Sequence, residues 1–141
     1  MKGFFMEHGS IKVGMVILMQ PDLKKAVDFY QKLNLKQTFH LEGKWAEFDL
    51  GCVKLGLCPT DQAQDNIRTG IVLEVMEDLH VLYKRLKADG VEFFSEPITA
   101  PHGIMVAFKD AGGNVLDLYQ STPEIYKEFI KEQQKIADQA K

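Results

Sequence analysis

Asp117 sits inside "NVLDLYQ", between the apolar residues Leu116 and Leu118. An unpaired carboxylate is costly to bury, so its place there requires either a solvated face or a use. Alternate residues of a strand face opposite sides. That puts Leu116 and Leu118 toward a core and Val115, Asp117 and Tyr119 on the other face. In "KWAEFDLG" the same parity turns Ala46, Phe48 and Leu50 inward and leaves Trp45, Glu47 and Asp49 opposite. Trp45 is the only tryptophan, and on a polar strand face it is what a stacking site for a planar ligand would use. His40 in "TFHLEGKW" and His102 in "APHGIM" are of a type that titrates near neutral pH and can act as general acid or base at a binding rim. As residues of a hairpin and a loop they can equally be plain surface. Cys58 would be a nucleophile only beside a base that lowers its pKa. Its neighbours supply none, so it reads as a small apolar filler.

The elements that position these residues form a repeat. After the strand-like run "GMVILM" comes Asp22, a good N-cap, and then Leu23, Ala26, Val27 and Tyr30 at helical spacing. After "GIVLEV" comes Asp78, then Leu79, Leu82, Tyr83 and Leu86 at the same spacing, 56 residues further on. The helices end at Asn34 and Gly90, both tolerant of left-handed backbone. Strand-like segments follow each: "KQTFHL", "KWAEFDLG" and "VKLGLC", then "EFFSEP", "GIMVAFKD" and "NVLDLYQ". The chain is therefore expected to be α+β, with two β-α-β-β-β modules at about residues 11–60 and 68–121, joined by the polar bridge "TDQAQDNIRTG". One module alone would expose an apolar sheet face, so two should form a curved eight-stranded mixed sheet around a cleft. A C-terminal helix is expected over about 122–140, with Ser121 and Glu124 spaced as a capping box, Pro123 in its first turn, and Ile125, Phe129 and Ile136 on one side.

Composition narrows the function. A chain of 141 residues, 45% apolar and 26% charged, suits one domain. A net charge of -3 with scattered lysines offers neither a nucleic-acid footprint nor a membrane-binding face. Cys52 and Cys58 lack the spacing of a zinc knuckle or a disulfide framework, which predicts reduced thiols and a cytoplasmic protein. "MKGFFMEHGS", with Phe4, Phe5 and Met6, is far too short for a signal h-region or a membrane span and reads as a frayed tail.

The paired modules, with "PDLKKAVDFYQKLNL" and "EDLHVLYKRLKADGVEF" as helices and "FKDAGGNVLDLYQ" as closing hairpin, resemble the vicinal oxygen chelate superfamily. That group holds glyoxalase I, extradiol dioxygenases, fosfomycin-resistance proteins and the bleomycin-resistance protein. The resemblance covers about residues 11 to 120. It speaks for fold more than activity, since one scaffold here carries many chemistries. It implies that the concave sheet face is the cleft. It also implies four ligand positions for the metal enzymes, one on the first and last strand of each module. On this chain they fall on Met15, Gly56, Gly70 (or Ile71 if the helix offset is kept rigid) and Asp117. Asp117 would then be the one surviving ligand, and a divalent metal needs three or four. No metal and no cofactor are expected.

Parity populates the implied cleft with Met15, Ile17 and Met19 from the first strand and with Lys54, Gly56 and Cys58 from the fourth. Glu74 would lie under the helix at a rigid offset, but one extra residue near Met76 would turn it to the cleft. The cost of burying it favours the second register. The expected ligand-binding set is Met15, Trp45, Glu47, Lys54, Gly56, Glu74, His102, Asp117 and Tyr119. Two function classes follow. One is a metal-free protein that binds a planar or cationic small molecule. The other is a glyoxalase-like lyase or dioxygenase-like enzyme holding metal through some other residues. "DAGGN", where the family usually has Asp-Pro-Asp-Gly-Asn, does not choose between them. A homodimer is expected in either case, because such sheets leave edges and apolar surface that the superfamily usually covers with a second subunit.

Overall fold

Asp22 and Asp78 start the two helices in the same way. In the computed structural model, which describes residues 10–140, the Asp22 carboxylate accepts from the Lys25 amide at 3.1 Å. Asp78 accepts from the His80 and Val81 amides at 2.8 and 3.3 Å. Each satisfies helix-start donors that would otherwise lack partners. Phe4, Phe5 and Met6 lie outside the described residues.

The chain divides into two compact units, up to Gln64 and from Asp65 onward, a boundary inside the polar bridge. In the first, β1 (Met15–Gln20) leads to α1 (Leu23–Lys32), then β2 (Lys36–Leu41), β3 (Trp45–Asp49) and β4 (Lys54–Pro59). The sheet order is β1-β4-β3-β2, with β1 parallel to β4 and the other pairs antiparallel. Helix α1 buries Leu23, Ala26, Val27, Phe29 and Tyr30, and Ala46, Phe48, Leu55 and Leu57 form the buried side of the sheet. Complete burial of such side chains stabilises by about 1.5–3 kcal/mol each. Asn34 ends the helical segment at φ +60°.

The second unit repeats the plan with β5 (Ile67–Glu74), α2 (Leu79–Ala88), β6 (Glu92–Phe93), β7 (Ile98–Ala100), β8 (Gly103–Lys109) and β9 (Asn114–Ser121), followed by α3 (Pro123–Gln139). The order is β5-β9-β8-β6, and β7 also pairs with β8. Leu79, Leu82, Tyr83 and Leu86 are the buried stripe of α2. Beneath it the rings of Tyr83, Phe93 and Phe108 run in series, with centroids 4.7 and 6.4 Å apart. At the β8–β9 turn, buried Asp110 accepts from the Gly112 and Asn114 amides, both at 2.9 Å. "DAGGN" thus closes the hairpin through a carboxylate that bonds its own backbone.

Three sequence expectations are corrected here. The described residues hold nine strands, in sheets of four and five, where eight were expected. The segment "EFFSEP" does not continue as one strand. Between the pairs Phe93–Phe108 and Ile98–Met105 it advances five residues while β8 moves three. The loop contains Pro97, which has no amide to give to a ladder. The C-terminal helix takes Thr122 as its N-cap, with Pro123 at the first position and no side-chain cap bond. Ser121 instead belongs to β9, so the Ser121–Glu124 box does not form.

The bridge is pinned at both sides. Gln64 donates to the Met19 carbonyl at 2.9 Å. The Lys109 ammonium lies 2.8 Å from Asp65 and 3.2 Å from Glu92. That ammonium holds the Asp65 carboxyl below its ordinary range, while the two carboxylates raise Lys109 above its own.

Candidate functional site

In the first unit, five of the residues singled out by sequence share one sheet face. Pairing aligns Gly56 with Ile17 on one side and Glu47 on the other, and Lys54 with Met15 and Asp49. Paired residues point the same way, so these side chains stand opposite the buried Ala46, Phe48, Leu55 and Leu57. Trp45 does not project freely from this face. Its indole N–H donates to Glu47 Oε1 at 3.1 Å, and Glu47 Oε2 lies 3.6 Å from Lys54 Nζ. The far edge of the indole passes over Gly56. A β-carbon there would stand 2.6 Å from Trp45 Cη2 and Cζ2 and 3.1 Å from Met15 Sδ. Bare backbone at Gly56 is therefore the floor on which the indole rests, with the Met15 thioether beside it. Sequence reading took Gly56 as a lost ligand position and a member of the cleft, without the ring above it. Glycine inside a strand is the signal that marks such a close approach.

In the second unit, Asp117 is half-buried and aligned with Val72 and Ala107, while Tyr119 is aligned with Glu74 and Met105. Leu73 pairs with buried Leu118. Glu74 therefore shares the face of Asp117 and Tyr119, and its side chain is exposed. Glu74 stands four residues before the Asp78 cap where Met19 stands three before Asp22, so the one extra residue lies between Glu74 and Asp78, in the stretch that holds Met76. A separate irregularity lies upstream between Arg68 and Val72, where β5 advances four residues against two of β9 and Gly70 has φ +72°. There Thr69 Oγ1 donates to the Val115 carbonyl at 2.8 Å.

His102 contributes its backbone as well as its ring. The Tyr119 hydroxyl donates to the His102 carbonyl at 2.8 Å, and the imidazole stacks on the Tyr119 ring with centroids 5.8 Å apart. Gly103 beneath is a second glycine floor, since a β-carbon there would run into Tyr119 and the Gln120 carbonyl. Each unit thus lays one aromatic ring over a glycine on the face opposite its helix.

The four inherited positions do not make a metal-ligand set. Met15 offers only a soft thioether, Gly56 and Gly70 offer no side chain, and Asp117 is one carboxylate. The space a Gly56 side chain would need is filled by Trp45. Among the described residues no group of three or more His, Cys, Asp or Glu stands close enough to hold a metal. None of their helices is long and apolar enough to cross a membrane.

Sequence reasoning missed a groove of about 600 Å³ beside α1, lined by Asp22, Asp28, Gln31, Gln37, His40 and Glu42 among others. It is formed by helix and hairpin residues distant in sequence, and no local spacing announces it. Its carboxylates are exposed, and that of Asp22 already caps α1.

The chain is 39% identical over 54 residues to the uncharacterized protein YetH of Bacillus subtilis (strain 168), a stretch covering 38% of this chain and 44% of that one. The match thus spans less than half the length of this relative. Among solved structures, the fosfomycin resistance protein FosX of Listeria monocytogenes superposes with a TM-score of 0.69 at 21% identity, over 83% of this chain and 98% of that one. TnmS3, an antibiotic binding protein from Streptomyces sp. CB03234, gives 0.65 at 24% identity, over 81% and 98%. At these identities the likeness is one of fold. The family model for the Glyoxalase/Bleomycin resistance protein/Dioxygenase superfamily matches residues 12–118, and with the repeated β-α-β plan around two glycine-floored rings this places the chain in that superfamily.

Proposed function

We propose that the protein binds a planar or cationic small molecule without metal or cofactor, as a homodimer in the cytoplasm, with neither nucleic acid nor membrane as partner. The observation that carries this reading is Trp45, its indole edge lying over Gly56 and its N–H tethered to Glu47. A ring fixed before the ligand arrives loses little freedom on binding, and that preorganisation favours affinity. Its open face can stack on a planar ligand, and a cation over the same ring gains from its quadrupole. Glu47 places negative charge at the edge of the ring, and Lys54 partly neutralises it. Glu74 and Asp117 put two more carboxylates on the equivalent face of the second unit. Stacking and cation–π contact contribute on the order of 1 kcal/mol each, more when water is excluded. That TnmS3, a binding protein, shares the fold supports binding as a use of this scaffold.

The test is a panel of planar cationic, planar neutral and acidic compounds, followed by fluorescence of the single tryptophan. Cationic and neutral aromatic compounds should bind best. If acidic compounds bind best, and Asp117→Asn strengthens them, the reading is wrong and Lys54 is the anchor.

A further inference from the structure

The groove beside α1 has a volume of about 600 Å³, within the range of small-molecule pockets. Every residue of its lining belongs to the first unit. It lies on the helix side of the sheet, away from the face that carries Trp45 and Glu47, and an irregularity of β2 turns side chains into it. Gln37 is aligned with Phe48 and Phe39 with Glu47, so β2 advances two residues while β3 advances one. Thr38 is the extra residue. Beyond this bulge His40 is aligned with Ala46, and Ala46 and Phe48 belong to the buried side of the sheet. Gln37 and His40, three residues apart, therefore both face the helix side. Strict alternation would have sent His40 the other way. Gln31 of α1 donates to Gln37 Oε1 at 3.0 Å, which joins the helix wall of the groove to its strand wall.

The lining combines two kinds of surface. Pro21, Leu23, Val27 and Pro59 are aliphatic, and no Phe, Tyr or Trp stands among the lining residues, so the body they accommodate is aliphatic rather than planar. The polar side chains include Asp28 from α1, Glu42 from the turn after β2, and the His40 imidazole. Asp22 is committed to the helix cap. Among the described residues Asp28 and Glu42 enter no ion pair, and Lys24 is the only cation that the described lining sets against them. The balance is negative. A metal ion does not suit it, because no group of three or more ligating side chains stands close enough among the described residues. An ammonium does, since its three N–H donors match carboxylates and the acceptor nitrogen of a neutral imidazole.

We propose that this groove is a second small-molecule site, separate from the Trp45 face, and that it takes an aliphatic ammonium ion. The alkyl body lies along Leu23 and Val27, and the ammonium faces Asp28, Glu42 and His40. The bulge at Thr38 is what brings His40 to this site.

Hexylammonium chloride is titrated into the full chain, followed by calorimetry and by the chemical shifts of the backbone amides and of the single indole N–H. Shifts should gather at Val27, Gln37, His40 and Glu42, while the Trp45 indole N–H stays in place. Hexan-1-ol and hexanoate, of the same length without the positive charge, should bind at least about tenfold more weakly. Asp28→Asn/Glu42→Gln keeps both shapes at exposed positions, so the variant should stay folded, with shift dispersion as the check, and bind hexylammonium about tenfold more weakly. His40→Leu, which removes the ring nitrogens, should weaken it several-fold. If the double variant loses its dispersion, each single substitution answers the same question. Equal binding of the alcohol, unchanged affinity in the variants, or no saturable binding at millimolar concentration overturns the site. Movement of the Trp45 indole N–H in place of the groove amides assigns the amine to the sheet face, which overturns the groove and leaves the reading of Trp45 standing.

Discussion

Gly56 leaves room where any other side chain would collide with the indole of Trp45. Two substitutions separate the ring from the floor that positions it. Trp45→Ala removes the stacking face and should weaken a planar ligand by roughly tenfold, since 1.4 kcal/mol is a decade in affinity. Gly56→Ala keeps the ring but pushes it off the strand. It should break the bond to Glu47, shift the tryptophan emission and weaken the same ligand by a comparable factor, with the protein still folded; isothermal titration beside the emission spectrum checks both. Asp117→Asn preserves shape and removes charge, so it should weaken cationic ligands and leave neutral aromatic ones nearly unchanged in the same titration. That Trp45 and Glu47 share one sheet face and Asp117 and Tyr119 another was legible in the sequence because strand parity sorts side chains into two faces. The ring-over-glycine contact was not, because it depends on where the indole turns after leaving β3, and a period-two pattern says nothing about rotamers.

At the scale of elements, the helices were the most legible part. Their caps and stripes are local patterns, and Asp22, Asp78, Asn34 and Gly90 each act as their types predict. Asp78→Ala should therefore cost about 1 kcal/mol and lower the melting temperature by about 3 °C, which calorimetry would show. What the pattern could not give is strand continuity. The strand expected over "EFFSEP" stops at Phe93, and β7, which lies beyond that segment, is apparent only against the ladder of β8. The capping box failed because β9 runs one residue further than its apolar pattern and takes up Ser121.

The Asp65–Lys109–Glu92 cluster adds a pH dependence. Asp65 has its folded pKa lowered, so its contribution is present above the unfolded value and is lost as pH falls through the folded one. Lys109 has its folded pKa raised, so its share is present below the unfolded value and is lost as pH rises through the folded one. The bridge should be best anchored between those limits. Asp65→Asn should remove the acid limb of the pH dependence of amide exchange near Ile67, the next strand residue.

For the whole molecule, the four inherited positions argue that purified protein carries no stoichiometric divalent metal. Elemental analysis finding about one Zn, Ni, Mn or Fe per chain, removable by chelation with loss of ligand binding, would overturn this. The duplicated plan also bears on how the chain opens. Helix α1 packs on β3 and β4, and α2 on β9; each sheet closes through a parallel pair that joins the start of its unit to its last strand, β1 to β4 and β5 to β9. Each unit therefore has its own long-range closure and its own buried stripe, and losing one does not in itself unzip the other. Native-state hydrogen exchange should sort the slow amides into two cooperative sets that divide at Gln64, with refolding passing through a species in which one half is protected and the other is not.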